Sequence, residues 1–232
     1  MERIIEKTDD GSATLFVPEL NEHYHSVKGA WTESQHIFID MGLKASEATT
    51  PHIAEIGFGT GLNAWLTLIE AERSGREVHY TGWELYPLAW DMVEQLHYTD
   101  SNEQLEVDGK EMPATLLFKK LHDAKWGKPV RITPHFTLHK IQADVTQWKD
   151  DGSFTADVIY FDAFAPEKQP EIWSQELFDH LYVLLNEKGI LTTYCAKGVV
   201  RRMMQAAGFT VERLPGPPGG KREILRGRKT NQ

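Results

Sequence analysis

The chain has 232 residues, of which 41% are hydrophobic and 25% charged, as in an ordinary soluble globular protein with one large domain. No apolar run approaches the roughly 20 residues of a membrane span, and the N-terminus lacks a signal-peptide core, so we expect a cytoplasmic protein with no membrane partner. The single cysteine, Cys195, excludes an internal disulfide and suits a reducing compartment.

The net charge of −9 is unevenly distributed along the chain. Residues 197–232 contain nine Lys or Arg and two acids, a local charge of +7, so the other 196 residues carry −16. The net charge argues against a nucleic-acid partner, whereas the basic C-terminal segment is typical of a local binding surface. Composition leaves open the alternative that this segment is a solvated basic tail.

The first 45 residues are predicted to form a small extension that packs on the main domain. The runs IIEK and ATLFV flank the turn sequence DDGS, a pattern typical of a hairpin. Residues 30–39, AWTESQHIFI, have mixed helical periodicity. We therefore expect residues 1–45 to be an N-terminal extension of hairpin and helix, and residues 46–232 to be the main domain.

From residue 51 onwards, short apolar runs alternate with segments of helical periodicity, which predicts a parallel sheet with helices on both faces. The predicted strands are HIAEIG, EVHYTGWEL, FTLHKIQAD, ADVIYFDAF and GILTTYC. The predicted helices are TGLNAWLTLIEAERS, PLAWDMVEQL, EIWSQELFDHLYVLL and KGVVRRMMQAAG. Thr60 is expected to be a helix N-cap, Pro87 to lie in a first helical turn, and Gly208 to end a helix. Residues 98–130 are expected to be an insertion with a short helix around ATLLFKKLHDA.

Two final strands, FTVERL and REILRGR, are joined only by PGPPGGK. Because so short a link cannot make a parallel crossover, we expect these strands to pair antiparallel. The predicted fold class is therefore α/β, with a Rossmann-like doubly wound sheet that ends in an antiparallel hairpin. This is the architecture of class I S-adenosylmethionine (AdoMet) methyltransferases, whereas dehydrogenase domains usually continue with a parallel sixth strand.

Candidate ligand-binding residues follow the first strand, in the segment E-I-G-F-G-T-G over residues 55–61. The G-x-G-x-G spacing differs from the dinucleotide fingerprint G-x-G-x-x-G, and the Lys-Ser/Thr pair of a P-loop is missing. The pattern resembles the AdoMet-binding loop, although a purely structural strand-to-helix turn is the alternative. The predicted AdoMet-binding residues are Glu55, Gly57, Phe58, Gly59, Thr60, Gly61, Asn63, Glu84, Asp144 and Asp162.

Acids end four successive predicted strands, where open α/β sheets bind ligands. Glu55 is expected to hold the ammonium group of AdoMet, directly or through water, and Glu84, 23 residues after Gly61, to accept both ribose hydroxyls. Asp144 is expected to contact the adenine amino group, or else to cap a helix over VTQW. Asp162 is expected to face the methyl group and to orient an amine nucleophile or accept its proton. The predicted catalytic residues are Asp162, Phe164 and Pro166.

Longer motifs make the sequence similar to one family. These motifs are YHSVKGAWTESQHIFI (24–39), EIGFGTGLN (55–63), DAFAPEKQPEIW (162–173), VVRRMMQAAGF (199–209) and GGKREI (219–224). They resemble the methyltransferase domain of the bacterial tRNA 5-methylaminomethyl-2-thiouridine biosynthesis proteins, the MnmC family. The resemblance covers nearly the whole chain and is weakest between residues 98 and 135.

The resemblance implies transfer of a methyl group from AdoMet to the nitrogen of 5-aminomethyl-2-thiouridine at the tRNA wobble position, giving 5-methylaminomethyl-2-thiouridine. Two-domain family members also carry an FAD-dependent oxidoreductase domain that removes a carboxymethyl group. Because this chain ends at Gln232, we expect the stand-alone form, supplied by a separate oxidoreductase or aminomethyl-forming enzyme. The chain departs from the family at Ala163, where the family often has glycine, and over Tyr194-Cys195-Ala196-Lys197, where Ser- and Thr-rich residues are commoner; the second departure puts a hydroxyl contact there in doubt.

The resemblance also accounts for the basic C-terminal segment, since phosphate contacts need Lys or Arg. The predicted nucleic-acid-binding residues are Lys197, Arg201, Arg202, Lys221 and Arg222, and Arg226 and Arg228 are expected to extend the surface they form. In the last predicted helix, Val199, Val200, Met203 and Met204 are expected to face inward. For Arg201 and Arg202, a solvated surface is the alternative.

Two other functions are compatible with parts of the sequence, one enzymatic and one limited to binding. A methyltransferase or aminopropyltransferase for a small amine would not explain the basic C-terminal motif. A non-catalytic tRNA-binding protein would not explain an intact glycine loop with four acids. His25 and His36 lack a partner at metal-ligand spacing, so no metal site is predicted. The aromatic candidates for stacking on a base, each also a candidate core residue, are Tyr24, Trp31, Trp83 and Trp173.

Overall fold

The computed structural model describes residues 2–99, 102–149 and 152–230. Its strands are β1 (Ile4–Lys7), β2 (Ala13–Val17), β3 (Glu22–His23), β4 (His52–Ile56), β5 (Val78–Glu84), β6 (Gln104–Val107), β7 (Lys110–Pro113), β8 (Pro129–Thr133), β9 (Phe136–Gln142), β10 (Ala156–Phe161), β11 (Leu185–Thr193), β12 (Thr210–Pro215) and β13 (Glu223–Arg228). Its α-helices are α1 (Ala30–Ser34), α2 (Leu62–Ser74), α3 (Trp90–Val93), α4 (Ala114–Asp123), α5 (Gln175–Leu184) and α6 (Gly198–Ala207). A π-helical turn covers Gln35–Asp40, and 3-10 turns cover Leu43–Ala45 and Glu94–Leu96.

An eight-stranded sheet forms the centre of the molecule, in the order β12-β13-β11-β10-β4-β5-β9-β8. The strands β11, β10, β4, β5 and β9 run parallel to one another. As predicted, β12 and β13 pair antiparallel, and β13 also pairs antiparallel with β11. The strand order reverses beside β4, which confirms the doubly wound α/β fold with its terminal hairpin. Strand β8, antiparallel to β9, adds to the predicted strands.

The central strands are buried on both faces, which is why they are near-continuous apolar runs in the sequence. In β10, the residues from Val158 to Phe161 are fully buried. One hydrophobic cluster contains Trp65 of α2 and Phe118 of α4, and a second contains Phe178 of α5 and Met204 of α6. Helices therefore cover both faces of the sheet, and the carboxyl ends of its strands stay accessible to ligands.

The N-terminal segment forms its own antiparallel sheet, β1-β2-β3, and α1 runs directly into the π-helical turn. The π-helical turn buries Ile37, Phe38 and Ile39 in the cluster that also contains α2. His36 Nε2 lies 2.8 Å from the carbonyl oxygen of Pro215, which ends β12. The segment thus packs against the main sheet, and its boundary at residue 45 stays a prediction.

The region from 98 to 130 contains the hairpin β6-β7 and the helix α4, within its described residues. Residues 100 and 101 lie outside the described residues. Helix α4 matches the predicted ATLLFKKLHDA and buries Leu117, Phe118 and Leu121 against the core. This region therefore contributes packing to the same face of the sheet as α2.

Three local predictions from the sequence are wrong. Helix α3 begins only at Trp90, with an extended N-cap at Ala89, so Pro87 precedes the helix. Helix α2 is capped by Gly61 in a left-handed conformation rather than by Thr60, whose hydroxyl is hydrogen-bonded to His25 Nε2 at 3.0 Å.

The third concerns the buried face of α6. Val200 and Met204 are fully buried, and Met203 packs against the same core, but Val199 is 48% exposed. The buried stripe follows the i, i+4 spacing of Val200 and Met204, which turns the neighbouring Val199 away from the core. The prediction that Val199 faces inward therefore fails. Gly208 ends α6 in a left-handed conformation, as predicted.

Candidate active site

The carboxyl ends of the parallel strands surround a cavity of about 950 Å³, beside the point where the strand order reverses. The predicted site residues that line it are Gly57, Phe58, Gly59, Thr60, Asn63, Glu84, Asp144, Asp162, Phe164, Pro166, Lys197, Lys221 and Arg222. Those that do not line it are Glu55, Gly61, Arg201 and Arg202. The N-terminal segment and the β12–β13 connection supply the remaining walls, so most of the predicted residues meet at one site.

The glycine loop after β4 needs glycine at all three positions, because Gly57, Gly59 and Gly61 have φ angles of 92°, 49° and 74°. The space around the loop is equally restrictive. A Cβ atom on Gly57 would lie 2.6 Å from the carbonyl oxygen of Asp162, and one on Gly59 would lie 3.1 Å from the ring of Tyr24. The spacing G-x-G-x-G thus reflects a loop pressed against the Asp162 loop and the N-terminal segment.

Glu84 at the end of β5 is tied to the glycine loop. Its Oε2 accepts a hydrogen bond from the Gly59 N–H at 2.9 Å, and its Oε1 accepts one from the Tyr86 N–H at 2.8 Å. Each carboxylate oxygen has further acceptor capacity. The carboxylate is therefore fixed at the cavity wall and can still accept hydrogen bonds from a pair of hydroxyls.

Asp144 at the end of β9 stabilises a turn rather than a helix. Its Oδ1 accepts hydrogen bonds from the N–H of Thr146 at 2.9 Å and from the Thr146 hydroxyl at 2.7 Å. The sequence VTQW forms a turn, so the helix-cap alternative does not hold. The second oxygen, Oδ2, is not used in this turn and can accept a hydrogen bond from a ligand amino group.

Asn63 joins two acids at the floor of the cavity. Its Nδ2 donates to Glu55 Oε1 at 2.9 Å and to Asp162 Oδ2 at 2.8 Å. Glu55 is fully buried below the cavity, and burial raises its pKa well above the usual range. The position of Glu55 therefore does not support direct contact with a ligand, and it acts on the cavity through Asn63.

Asp162 faces the cavity from the end of β10. Burial, together with the nearby charge of Glu33, raises the pKa of its carboxyl to about 7, although the hydrogen bond from Asn63 and the charge of Lys221 act in the opposite direction. A carboxyl with a pKa near neutrality can change protonation state during a reaction at that pH. The side chain thus has the properties of a general base.

The loop that follows Asp162 is held by two aromatic residues. Trp173 Nε1 donates to the Phe164 carbonyl oxygen at 2.7 Å, and the Tyr194 hydroxyl donates to the Ala163 carbonyl oxygen at 2.8 Å. Among the predicted stacking candidates, Trp173 and Trp83 are buried and Trp31 does not line the cavity, which leaves Tyr24 on the cavity wall. The spacing from Asp162 to Trp173 therefore has a structural reason that sequence reasoning did not supply.

Three further residues, which the sequence did not single out as site residues, line the cavity: Glu33, His25 and Tyr194. Glu33 is the acid within the helical segment of the N-terminal motif, and it is only 6% exposed. A buried acid on an otherwise apolar helix face is the signal that could have identified it. Burial lowers the pKa of His25 to about 4, so the imidazole bonded to Thr60 is neutral at physiological pH.

Some basic residues of the C-terminal segment lie at the rim of the cavity, and others are paired with acids. Arg226 and Arg228 both contact Glu212, at 2.6 Å and 3.0 Å, so they do not form the predicted extension of a free basic surface. Lys197 pairs with Glu167 at the cavity rim, and Arg222 is exposed there. Arg201 and Arg202 lie on α6, outside the cavity lining.

Comparisons with known proteins agree with this geometry. Residues 127–230 match the family described as S-adenosyl-L-methionine-dependent methyltransferase. The chain is 30% identical over 218 residues to the tRNA 5-methylaminomethyl-2-thiouridine biosynthesis bifunctional protein MnmC of Methylobacillus flagellatus, covering 89% of this chain and 32% of that protein. It is 31% identical over 220 residues to the protein of that name from Pseudoalteromonas atlantica, covering 88% of this chain and 30% of that protein. The chain thus spans about a third of the length of these relatives.

Among solved structures, the fold is similar to that of MNMC2 from Aquifex aeolicus, with a TM-score of 0.75 and 24% identity over 97% of this chain and 70% of that one. Across the described ranges, each helix is too short or too polar to cross a membrane. In the same residues, no group of three or more His, Cys, Asp or Glu side chains is arranged to hold a metal ion.

Proposed function

We propose that the chain is an S-adenosyl-L-methionine-dependent methyltransferase, which the family match over residues 127–230 supports, and that it methylates the nitrogen of 5-aminomethyl-2-thiouridine at the tRNA wobble position. The names of the curated relatives support this substrate. The observation that carries the proposal is the position of Asp162. This acid is hydrogen-bonded to Asn63, beside the glycine loop, and lines the same cavity as that loop.

We assign AdoMet to the part of the cavity between the ends of β4, β5 and β9. Its fit there is supported by a glycine loop whose backbone can approach a ligand closely and by a cavity within the usual size range for cofactor sites. Glu84 would accept the ribose hydroxyls, and Asp144 Oδ2 would accept the adenine amino group. Phe58, Gly59 and the neighbouring backbone would line the base of this subsite.

AdoMet, when bound, supplies a methyl group that its sulfonium already activates, so the protein mainly has to align the reactants. Asp162, held by Asn63, orients the substrate amine and accepts its proton, because the attacking nitrogen must be neutral. Asp162 would take one proton from the substrate ammonium before attack. The nitrogen–methyl bond would then form as the sulfur–methyl bond breaks, which gives a protonated secondary amine and S-adenosylhomocysteine, so Asp162 is asked to accept a single proton. Phe164 and Pro166 form the wall of the amine subsite in this proposal.

The rim of the cavity would receive the tRNA backbone. Lys197, Lys221 and Arg222 line it, and phosphate contacts from Lys or Arg give salt-dependent affinity. Arg201 and Arg202 would extend the contact along α6. The aminomethyl group has to be formed before this step, so we place an oxidoreductase or another aminomethyl-forming enzyme upstream, in the cytoplasm.

One experiment separates this proposal from its alternatives. Purified protein is incubated with radiolabelled AdoMet and bulk tRNA from cells that lack this gene, and the tRNA is digested to nucleosides. We expect the label in the wobble nucleoside. Label that appears only in small amines would favour a small-amine transferase, and a protein that does not bind AdoMet would favour a non-catalytic tRNA-binding role.

A further inference from the structure

A second carboxylate, Glu33, faces the cavity from the N-terminal segment. Its Oε1 accepts a hydrogen bond from the Ser26 N–H at 3.1 Å. Its Oε2 is buried and accepts no hydrogen bond within the described residues. A buried carboxylate oxygen without a donor costs free energy unless a partner satisfies it. Since Glu33 lines the cavity, such a partner has access to it.

An ammonium group lies close to this oxygen. Lys221 Nζ lies 3.5 Å from Glu33 Oε2 and 3.9 Å from the centre of the Tyr194 ring. A carboxylate combined with an aromatic face is the chemistry that recognises a cationic amine. The lysine reaches this position from the exposed β12–β13 connection, and 43% of its side chain remains exposed. The ammonium of Lys221 therefore occupies the site beside the buried Glu33 carboxylate, and the exposed side chain can move away from it.

We propose that Glu33 and Tyr194 form the subsite that receives the ammonium form of the substrate, and that Lys221 occupies this subsite until substrate binds. The inference rests on the proposed function, because it names the residues that select an amine at the same cavity. Asp162 lines the same cavity as Glu33, so an amine held by Glu33 would share that cavity with the proposed proton acceptor. Glu33 thus becomes a specificity residue for a cationic amine.

The displaced lysine has a second role in this scheme. Once the substrate amine pairs with Glu33, Lys221 is free to turn towards the rim, where it can pair with a tRNA phosphate. Entry of the amine and engagement of the backbone then favour each other. A nucleoside without phosphates has to displace Lys221 without this compensation, so Lys221 opposes nucleoside binding and assists tRNA binding.

The test measures binding of 5-aminomethyl-2-thiouridine nucleoside by calorimetry, with S-adenosylhomocysteine present, beside the 5-hydroxymethyl analogue as a neutral probe. We expect Glu33→Gln to weaken binding of the amine about tenfold or more and to change that of the hydroxymethyl analogue less than about twofold. Lys221→Met is expected to tighten binding of the amine nucleoside and to raise the KM for tRNA. The matched controls are Glu47→Gln and Lys188→Met, which alter an exposed ion pair on the surface. They should change neither the affinity for the two nucleosides nor the KM for tRNA.

Three results would overturn the subsite: a wild-type protein that binds both nucleosides equally, a folded Glu33→Gln variant that binds the amine nucleoside as tightly as the wild type, or a Lys221→Met variant that binds the amine nucleoside more weakly. If Glu33→Gln does not fold, Lys221→Met still tests the subsite. The subsite predicts that this variant binds the amine nucleoside more tightly and has a higher KM for tRNA. The nucleoside binding assay is independent of methyl transfer. A wild-type protein that prefers the amine nucleoside but leaves tRNA unmethylated would therefore refute the proposed function and keep the subsite.

Discussion

Asp162→Asn removes a charge from the cavity floor and keeps the size of the side chain. In the wild-type protein, burial and the charge of Glu33 raise the pKa of this carboxyl from 3.8 to about 7. Above neutral pH the folded protein therefore carries a carboxylate that would ionise more easily in the unfolded chain. Asparagine has no such cost, so the substitution should stabilise the fold in this pH range.

The magnitude follows from the two pKa values. The difference between 3.8 and about 7 corresponds to at most about 4 kcal/mol, since one pK unit is worth about 1.36 kcal/mol. Because the folded-state pKa is the higher one, the folded protein holds its proton longer, and its stability falls as the pH rises from about 4 to about 7. We expect Asp162→Asn to raise the free energy of unfolding by about 1–3 kcal/mol at pH 8, and by less at pH 5.

Urea denaturation of both proteins at pH 5 and pH 8 measures this difference. Asp179→Asn, on the exposed face of α5, is the control and should show no such pH dependence. If Asp162→Asn raises the free energy of unfolding equally at both pH values, or lowers it at pH 8, the electrostatic reasoning is refuted.

In single-turnover methyl transfer, Asp162→Asn should be slower than the wild type by about tenfold or more, because asparagine cannot accept the proton. An equal loss of AdoMet affinity would move Asp162 from chemistry to cofactor binding.

Three further variants test other parts of the site. Replacing Lys221 and Arg222 with alanine should weaken tRNA binding. It should also flatten the salt dependence of binding by about one unit of slope for each phosphate that the variant no longer neutralises. An unchanged slope in a binding titration would show that the two residues do not contact the tRNA backbone. Gly57→Ala should abolish AdoMet binding, since its Cβ would clash with backbone, whereas Gly75→Ala, also at positive φ but in open space, should keep AdoMet affinity in calorimetry. Trp173→Phe should lower the free energy of unfolding by about 1–3 kcal/mol and slow transfer, because the Phe164 carbonyl loses its donor; wild-type values for both would contradict an anchoring role.

The sequence was sufficient to predict the sheet and the residues that meet at its edge. The parallel strands and the final antiparallel pair followed from local periodicity and from the short link between β12 and β13, whereas strand β8 was not predicted. The carboxyl ends of parallel strands lie at one edge, so Glu84, Asp144 and Asp162 could be expected to meet before any contact was known. The glycine spacing likewise reflected a loop with three positive φ angles.

Contacts between distant segments could not be predicted in this way. Glu33 lies in the N-terminal segment and Lys221 near the C-terminus, and no local pattern links an acid to a lysine so far away. The same limit applies to Tyr194, whose hydroxyl holds the Ala163 carbonyl although the sequence put a hydroxyl contact there in doubt. Composition also could not show that Arg226 and Arg228 are already paired with Glu212.

The central claim is that this chain methylates the wobble nucleoside of tRNA at its aminomethyl nitrogen. The most direct measurement is mass spectrometry of nucleosides from tRNA that carries 5-aminomethyl-2-thiouridine, before and after incubation with the purified chain and AdoMet. The mechanism above predicts that this nucleoside gains the mass of one methyl group and that Asp162→Asn largely prevents the gain. An unchanged wobble nucleoside, with AdoMet bound and the aminomethyl group present, would contradict the claim.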